Sequence, residues 1–281
     1  MALVDYGSSS DDEEGHASQK RATPPSKKPK KLPSLPLTFD ITPKDDPSLH
    51  QGRMRSRPYV DGEYNTHVYL SLSISWKLSK ILETIIAQLP PSPNPIHSLL
   101  PNLHISLTRP VPLRRHQIQP FRDELASRLG QICPFKLSLV GSVKAYYNEV
   151  TGGGSNRAFL ALRVGAGARE LKKIVDVVLD PTLKKIHRPT YHDNPEFHTS
   201  FAWTLFSTKT DNQDTSHGNH SASGYRSEEA QGLPFGEEDL NRVNSIFESE
   251  VLKAQPAGGW TISSVEVKIA KEIATIPLKL A

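Results

Sequence analysis

Two short stretches of the chain alternate between apolar and polar residues, as strands with one buried face do. The first reads LHISLTRP and the second FHTSFAWTL, and we call them the motif strands. His104 and Ser106 share the polar face of the first, and His198 and Ser200 share that of the second. A strand rises about 3.3 Å per residue, so each hydroxyl should lie roughly 6.5–7 Å from its imidazole on the same side. The opposite, apolar face of the second stretch is predicted to hold Phe197, Thr199, Phe201 and Trp203.

The rest of the chain divides into further strands and amphipathic helices. Apolar residues at helical spacing predict helices over 76–89, 120–129, 168–179 and 237–252. Alternation predicts strands over 66–74, 135–140, 143–150, 157–164, 261–269 and 275–280. These elements follow one another in a loosely repeated order, with no complete Gly-rich phosphate loop between them. We therefore predict an α+β fold with antiparallel sheets, in which each half contributes one motif strand to a central cleft.

Composition divides the 281 residues into a tail and one domain. Residues 1–50 combine an acidic cluster, a basic run and many prolines with few aromatic residues, which predicts a disordered N-terminal tail. The domain is predicted over 51–281, and its polar, low-complexity segment 207–236 is predicted to be a surface insertion. Cys133 is the single cysteine, which excludes a disulfide framework and a cysteine-based zinc site. No apolar run is long enough to cross a membrane.

The charge of the chain permits a polyanionic partner without requiring one. The net charge is +4, and a mild excess of this size is common in proteins that bind no polyanion. The run KKPKK at 27–31 predicts a nuclear import signal, with a solvated charge run as the alternative. Arg53, Arg55 and Arg57 would share one face of an extended segment, where they could contact phosphates or simply cover the surface.

Two imidazoles across a cleft can act as general base and general acid in one reaction, because unperturbed histidine titrates near 6.5. Cleavage of a phosphodiester beside a ribose 2′-hydroxyl needs such a pair, together with donors such as Ser106 and Ser200 for the phosphate oxygens. No cluster of carboxylates or metal ligands stands out, so we expect no metal and no cofactor. The alternative is that both histidines lie on half-buried strands and only hydrogen-bond their neighbours. A third His-x-Ser, at His16, lies in the tail without alternation around it.

The two His-x-Ser motifs, one per half, resemble those of the 2H phosphoesterase superfamily. Within it, the chain is most similar to the phosphodiesterases that process the 3′ end of U6 small nuclear RNA. The resemblance runs through 52–281 without the insertion. Its specific stretches are GRMRSRPYVDGEYNTHVYL, LHISLTRP, YYNEVTGGGSNRAFLAL and YHDNPEFHTSFAW.

The resemblance implies a bilobed, pseudo-twofold enzyme with two antiparallel sheets lining a central cleft and helices outside. It implies a metal-independent 3′–5′ exoribonuclease that trims the oligouridine end of U6 RNA and leaves a 2′,3′-cyclic phosphate or a product derived from it. His104 and His198 would be catalytic, and Ser106 and Ser200 would bind the phosphate. The family has a tyrosine upstream of the second histidine that stacks on the terminal base, and Tyr191 is the candidate here. It stands seven residues before His198, where six are expected, and His192 takes the nearer position. The resemblance also implies a nuclear protein that acts in RNA processing for splicing. We expect it to be a monomer that binds RNA and no membrane.

Two alternatives remain open. A 2H cyclic phosphodiesterase that opens small cyclic nucleotides would use the same residues, with water as the nucleophile. A non-catalytic RNA-binding protein would keep the cleft and the arginines, and it would bind RNA in a salt-sensitive way without turnover. The sequence does not decide which histidine is the base and which is the acid.

Overall fold

The computed structural model describes residues 46–54, 57–148, 155–206 and 233–279. All of them belong to one compact unit, Thr42–Ala281. The predicted tail lies almost entirely outside the described residues, as do the basic run and most of the predicted insertion. Among the described residues, no helix combines the length and the apolar character needed to cross a bilayer.

The chain forms eleven strands and five α-helices within the described residues. The strands are β1 (Glu63–Leu72), β2 (His97–Ser98), β3 (Leu103–Ser106), β4 (Val111–Arg114), β5 (Phe135–Leu137), β6 (Leu139–Asn148), β7 (Arg157–Val164), β8 (His198–Leu205), β9 (Trp260–Ile262), β10 (Ser264–Ile269) and β11 (Glu272–Pro277). The helices are α1 (Trp76–Ala87), α2 (Arg115–Leu129), α3 (Ala168–Ile174), α4 (Asp180–Lys185) and α5 (Glu237–Ala254). A π-helical turn (Val175–Leu179) joins α3 to α4, and a 3₁₀ turn (Pro47–His50) precedes β1.

One nine-stranded sheet holds both motif strands, which are β3 and β8. Its order is β11-β10-β1-β3-β8-β7-β6, with β4 paired to β1 and β2 paired to β8, and every pair is antiparallel. The only other sheet in the described residues is the small pair β5-β9. The antiparallel α+β prediction is confirmed. The expected division into two cleft-lining sheets differs from the structure, because β3 and β8 pair directly through Ile105 and Thr199.

The predicted helices form where apolar stripes and end signals coincide. Helix α1 begins after Ser75, whose hydroxyl accepts a hydrogen bond from the backbone N–H of Leu78. Helix α5 begins with Glu237, Glu238 and Asp239, whose charges suit the positive end of the helix dipole. Helix α2 begins five residues before the predicted start and contains Pro120. The third predicted helix continues through the π-helical turn into α4.

The sheet has one apolar face and one polar face, and the alternation in β1 shows the division. Val68, Leu70 and Leu72 are buried in the core, whereas His67, Tyr69 and Ser71 lie on the other face. Core residues of α1 and α5 belong to the same buried cluster as those of β1. The motif strands continue the division, since Leu103, Ile105 and Thr199 are buried. The polar face therefore carries the candidate chemistry.

Candidate active site

The antiparallel register brings the four motif side chains together. Ile105 pairs with Thr199. One residue to either side, this register places His104 opposite Ser200 and Ser106 opposite His198. All four are half-buried, on the face opposite the core. Each imidazole thus has one hydroxyl two residues along its own strand and a second directly opposite on the neighbouring strand. The two imidazoles therefore lie diagonally across the strand pair from each other.

His198 is held on two sides. Its Nδ1 lies 2.7 Å from the carbonyl oxygen of Glu196, so Nδ1–H donates and the neutral ring keeps its lone pair on Nε2. Its ring stacks on Tyr146 at 3.9 Å between centroids and 13° between planes. The Glu196 carboxylate accepts hydrogen bonds from Lys144 at 2.7 Å and from Arg163 at 3.1 Å. Burial lowers the pKa of His198, Glu196 opposes that shift, and the charge on Lys144 adds to it.

His104 lies among aromatic rings and beside other cations. Its ring meets the ring of His67 edge-on at 5.8 Å and that of Tyr69 at 5.5 Å. Burial lowers the pKa of His104, and positive charge on His198 lowers it further. Charge on His198 therefore disfavours protonation of His104, and the doubly protonated state of the two imidazoles is disfavoured.

The structure adds one residue that the sequence did not single out, His67. Its Nε2 lies 3.1 Å from the hydroxyl oxygen of Ser106. Burial first, and then the positive charges of His104 and Lys268, lower the pKa of His67 to about 4, so the ring is neutral at neutral pH. In the sequence, His67 shows only that it lies on the polar face of the predicted strand 66–74. It is not part of a His-x-Ser motif, so nothing in the sequence links it to Ser106.

Tyr191 lies just before β8 and is half-buried. Its ring is nearly parallel to that of Phe197 at 6.2 Å, and it meets the ring of His192 at 5.0 Å. His192 is in turn 3.0 Å from a guanidinium nitrogen of Arg109. Tyr191 thus adjoins the residue preceding His198, and its role in base stacking stays a prediction.

The prediction that Trp203 belongs to the buried face of the second motif strand is wrong. Ser200 pairs with Ala161 and Ala202 pairs with Leu160, so Phe201 is an extra residue that forms a β-bulge. The bulge shifts the alternation by one, and Trp203 lies directly opposite Phe159 on the face of Ser200. The sequence carries no clear sign of the bulge. The residues from Phe201 to Thr204 are all buried, so no exposed polar position marks the change of face.

An open pocket of about 660 Å³ adjoins His104. Polar groups from three strands and two loops line it, including Tyr69, Ser71, Asn102, Glu266 and Lys268. Within the described part of the chain, no group of three or more His, Cys, Asp or Glu residues is arranged to hold a metal ion.

Comparison with known proteins assigns the chain to a family. A family model named HVSL, described as "Uncharacterised conserved protein", matches residues 8–277. The protein named U6 snRNA phosphodiesterase 1 is 30% identical over 215 residues in Xenopus laevis (73% of this chain, 80% of that protein) and 31% identical over 227 residues in Drosophila melanogaster (75% and 84%). The Mus musculus protein of that name is 29% identical over 163 residues, 58% of each chain.

A solved structure, that of Kluyveromyces marxianus Usb1, overlaps 76% of this chain and 98% of its own, with a TM-score of 0.47 and 14% identity. The family assignment stands on the sequence matches alone. The span of the HVSL match and the extent of the Xenopus and Drosophila similarity show that the chain belongs to the HVSL family and to the family of proteins named U6 snRNA phosphodiesterase 1.

Proposed function

We propose that this protein is a metal-independent RNA phosphodiesterase that trims the oligouridine 3′ end of U6 snRNA in the 3′–5′ direction. The names of the Xenopus and Drosophila relatives support the reaction class and the substrate. The observation that carries the proposal is the register through Ile105 and Thr199, which sets two imidazoles and two hydroxyls on one face. This arrangement suits one phosphate between two proton-transfer groups.

The proposed reaction is an internal transesterification. One imidazole removes the proton of the 2′-hydroxyl, and the 2′-oxygen forms a bond to the adjacent phosphorus. The bond from phosphorus to the 5′-oxygen breaks, and the second imidazole protonates that oxygen as the terminal nucleoside leaves. The product is a 2′,3′-cyclic phosphate, either final or opened afterwards by water. Each proton transfer contributes roughly 10²–10⁴-fold.

Ser106 and Ser200 would donate hydrogen bonds to the non-bridging phosphate oxygens, where negative charge grows in the transition state. His67 fits this role for Ser106. When its Nε2–H donates to the serine oxygen, the serine proton is free to point at the phosphate. The Glu196 carbonyl similarly fixes which nitrogen of His198 faces the substrate.

The pseudo-twofold organisation is part of the same proposal. On one side of the site, β10, β1 and β3 form three antiparallel strands with a motif strand innermost, and on the other side β6, β7 and β8 do the same. One chain supplies all four motif residues, so a monomer suffices. A nuclear location follows from the proposed substrate.

The test is cleavage of a uridine-tailed RNA in EDTA, followed by mass analysis of the 3′ ends. His104→Ala and His198→Ala should each abolish trimming, whereas His116→Ala, an exposed histidine on α2, should leave it unchanged. A 2′-deoxy nucleotide 5′ of the scissile phosphate should block cleavage. Efficient cleavage of DNA would rule out the 2′-hydroxyl mechanism.

The second candidate, opening of small cyclic nucleotides, is compatible with the pocket of about 660 Å³ beside His104. Water would replace the 2′-hydroxyl as nucleophile while the two histidines keep their tasks. Comparing kcat/KM for uridine-tailed RNA and for a 2′,3′-cyclic mononucleotide separates the two. A clear preference for the mononucleotide would favour this candidate.

A further inference from the structure

A row of aromatic rings leads away from His198 along the polar face of the sheet. The ring of Tyr146 stacks on His198, and Tyr146 lies directly opposite Phe159 in the β6–β7 pair. Phe159 lies directly opposite Trp203 in the β7–β8 pair, beyond the bulge. The row therefore continues across three strands, from the proposed catalytic centre to the end of β8.

Two arginines cover the far end of this row. The guanidinium of Arg53 lies 5.2 Å from the centroid of the Trp203 ring, and that of Arg157 lies 5.6 Å from the centroid of the Phe159 ring. Trp203 is only 4% exposed, because Arg53 covers it and the ring of His97 stacks against it at 4.4 Å. Since the two aromatic residues are cross-strand partners, the two guanidinium groups are brought to neighbouring positions.

Arg53 is held in place by a fixed segment of backbone. The amide of Met54 donates to the hydroxyl of Ser155, and that hydroxyl donates to the carbonyl of Gly52 at 3.0 Å. Gly52 has a φ of +79°, and a side chain there would come within 2.8 Å of Leu205, so the segment lies directly against the end of β8. The Nε of Arg53 donates to the carbonyl of His50 at 3.1 Å. Among the residues that the structure describes, the other guanidinium nitrogens of Arg53 have no hydrogen-bond partner, and the group lies above the ring of Trp203.

Neither arginine forms an ion pair within the described ranges. Burial lowers the pKa of Arg157, and the charge on Arg53 lowers it further. Two neighbouring guanidinium groups without a carboxylate favour an anion between them, and their planar donor forks suit phosphate oxygens. Arg163, by contrast, is neutralised by Glu196.

We infer that Arg53 and Arg157 form a subsite for an RNA backbone phosphate on the 5′ side of the scissile bond. The inference rests on the proposed function. In an RNA that ends in a 3′-hydroxyl, release of the terminal nucleoside leaves every phosphate other than the scissile one on the 5′ side of the bond that breaks. Trp203 stands three residues beyond Ser200, roughly 10 Å along the strand, so the subsite engages a different phosphate from the one under attack. Tyr191, the candidate for the terminal base, lies at the other end of β8.

Substrates of different length give a sharp test, because the dinucleotide UpU carries only the scissile phosphate. Arg53→Gln and Arg157→Gln should each lower kcat/KM on a short oligouridylate by about tenfold and leave kcat/KM on UpU unchanged. Arg242→Gln on α5, which removes an arginine paired with Asp239, is the matched control and should change neither. Retained UpU cleavage shows that each variant is folded.

Binding provides a readout that does not depend on catalysis. A 5′-labelled 2′-deoxy oligouridylate cannot be cleaved by the proposed mechanism, and its anisotropy reports affinity as the salt concentration is raised. Each arginine variant should bind more weakly and reduce the slope of log affinity against log salt by about 0.7, the value for one single-strand phosphate contact. An unchanged slope and unchanged oligouridylate kinetics in both variants would overturn the subsite. Failure of the wild type to cleave any RNA, with the slope effect intact, would overturn the proposed function alone.

Discussion

Replacing His67 by phenylalanine isolates one hydrogen bond of the proposed catalytic step. The ring is neutral near pH 7, since burial lowers its pKa to about 4, and its Nε2 lies 3.1 Å from the Ser106 hydroxyl. Phenylalanine keeps a ring that can stack on Tyr69, as the imidazole does at 5.3 Å, but it offers no donor. The Ser106 proton then loses its fixed direction towards the phosphate.

The expected size of the effect follows from the chemistry of the contact. A hydrogen bond between neutral groups contributes about 0.5–1.5 kcal/mol net. At 1.36 kcal/mol per factor of ten, kcat on oligouridylate should fall about 2- to 12-fold. The KM should change little, because the serine interaction strengthens as charge develops on the phosphate oxygens.

Single-turnover rates on a uridine-tailed RNA measure this change directly. His67→Gln restores an N–H donor and should recover part of the rate, whereas His116→Phe makes the same replacement at an exposed site and should have no effect. The double variant with Ser106→Ala should be no slower than Ser106→Ala alone. If the two losses multiply, His67 does not act through Ser106 and the reasoning is refuted.

Three further predictions concern pH and stability. Because burial lowers the pKa of both His104 and His198 from 6.5, their protonated forms accumulate only below that value, and kcat/KM should peak on the acid side of pH 6.5; a peak above pH 6.5 would contradict the shifts. Glu196→Gln should move the NMR titration of His198 to lower pH and Lys144→Gln to higher pH, since the carboxylate raises its pKa and the ammonium lowers it; shifts in the same direction would count against this account. Gly141→Ala should lower the free energy of unfolding by about 1–3 kcal/mol in urea, because the added carbon would come within about 2.5 Å of a backbone oxygen of α5. Gly165→Ala, with its nearest contact at 3.5 Å, should be nearly neutral in the same titration.

The motif strands could be predicted because each has one buried face, and burial imposes alternation on the sequence. The same alternation placed each serine beside its histidine, as His104 and Ser106 show. It could not reveal that strands more than ninety residues apart pair directly, since the register through Ile105 and Thr199 depends on the whole sheet. Nor could it place His67 at Ser106, because that contact joins two strands.

The bulge at Phe201 limited prediction most. One extra residue reverses the faces of everything that follows, and a run of buried residues hides the reversal. The predicted face of Trp203 is therefore wrong. The aromatic row and its two arginines could not be predicted, because the row depends on that face. In the sequence, Arg53 is one of three alternately spaced arginines, and their spacing alone does not say whether they contact phosphates or cover the surface.

The ladder between the motif strands is very short, and this has a mechanical consequence. Ile105 and Thr199 form its one residue pair, whereas β6 and β7, or β7 and β8, share seven. The boundary between β3 and β8, here called the central seam, thus has the fewest paired residues in the sheet. His104 lies on one side of it and His198 on the other. Motion at this seam changes the distance between the two imidazoles before it disturbs either flank. A small opening along this line would move the two imidazoles apart, and native-state hydrogen exchange would register it first at the amides beside Thr199.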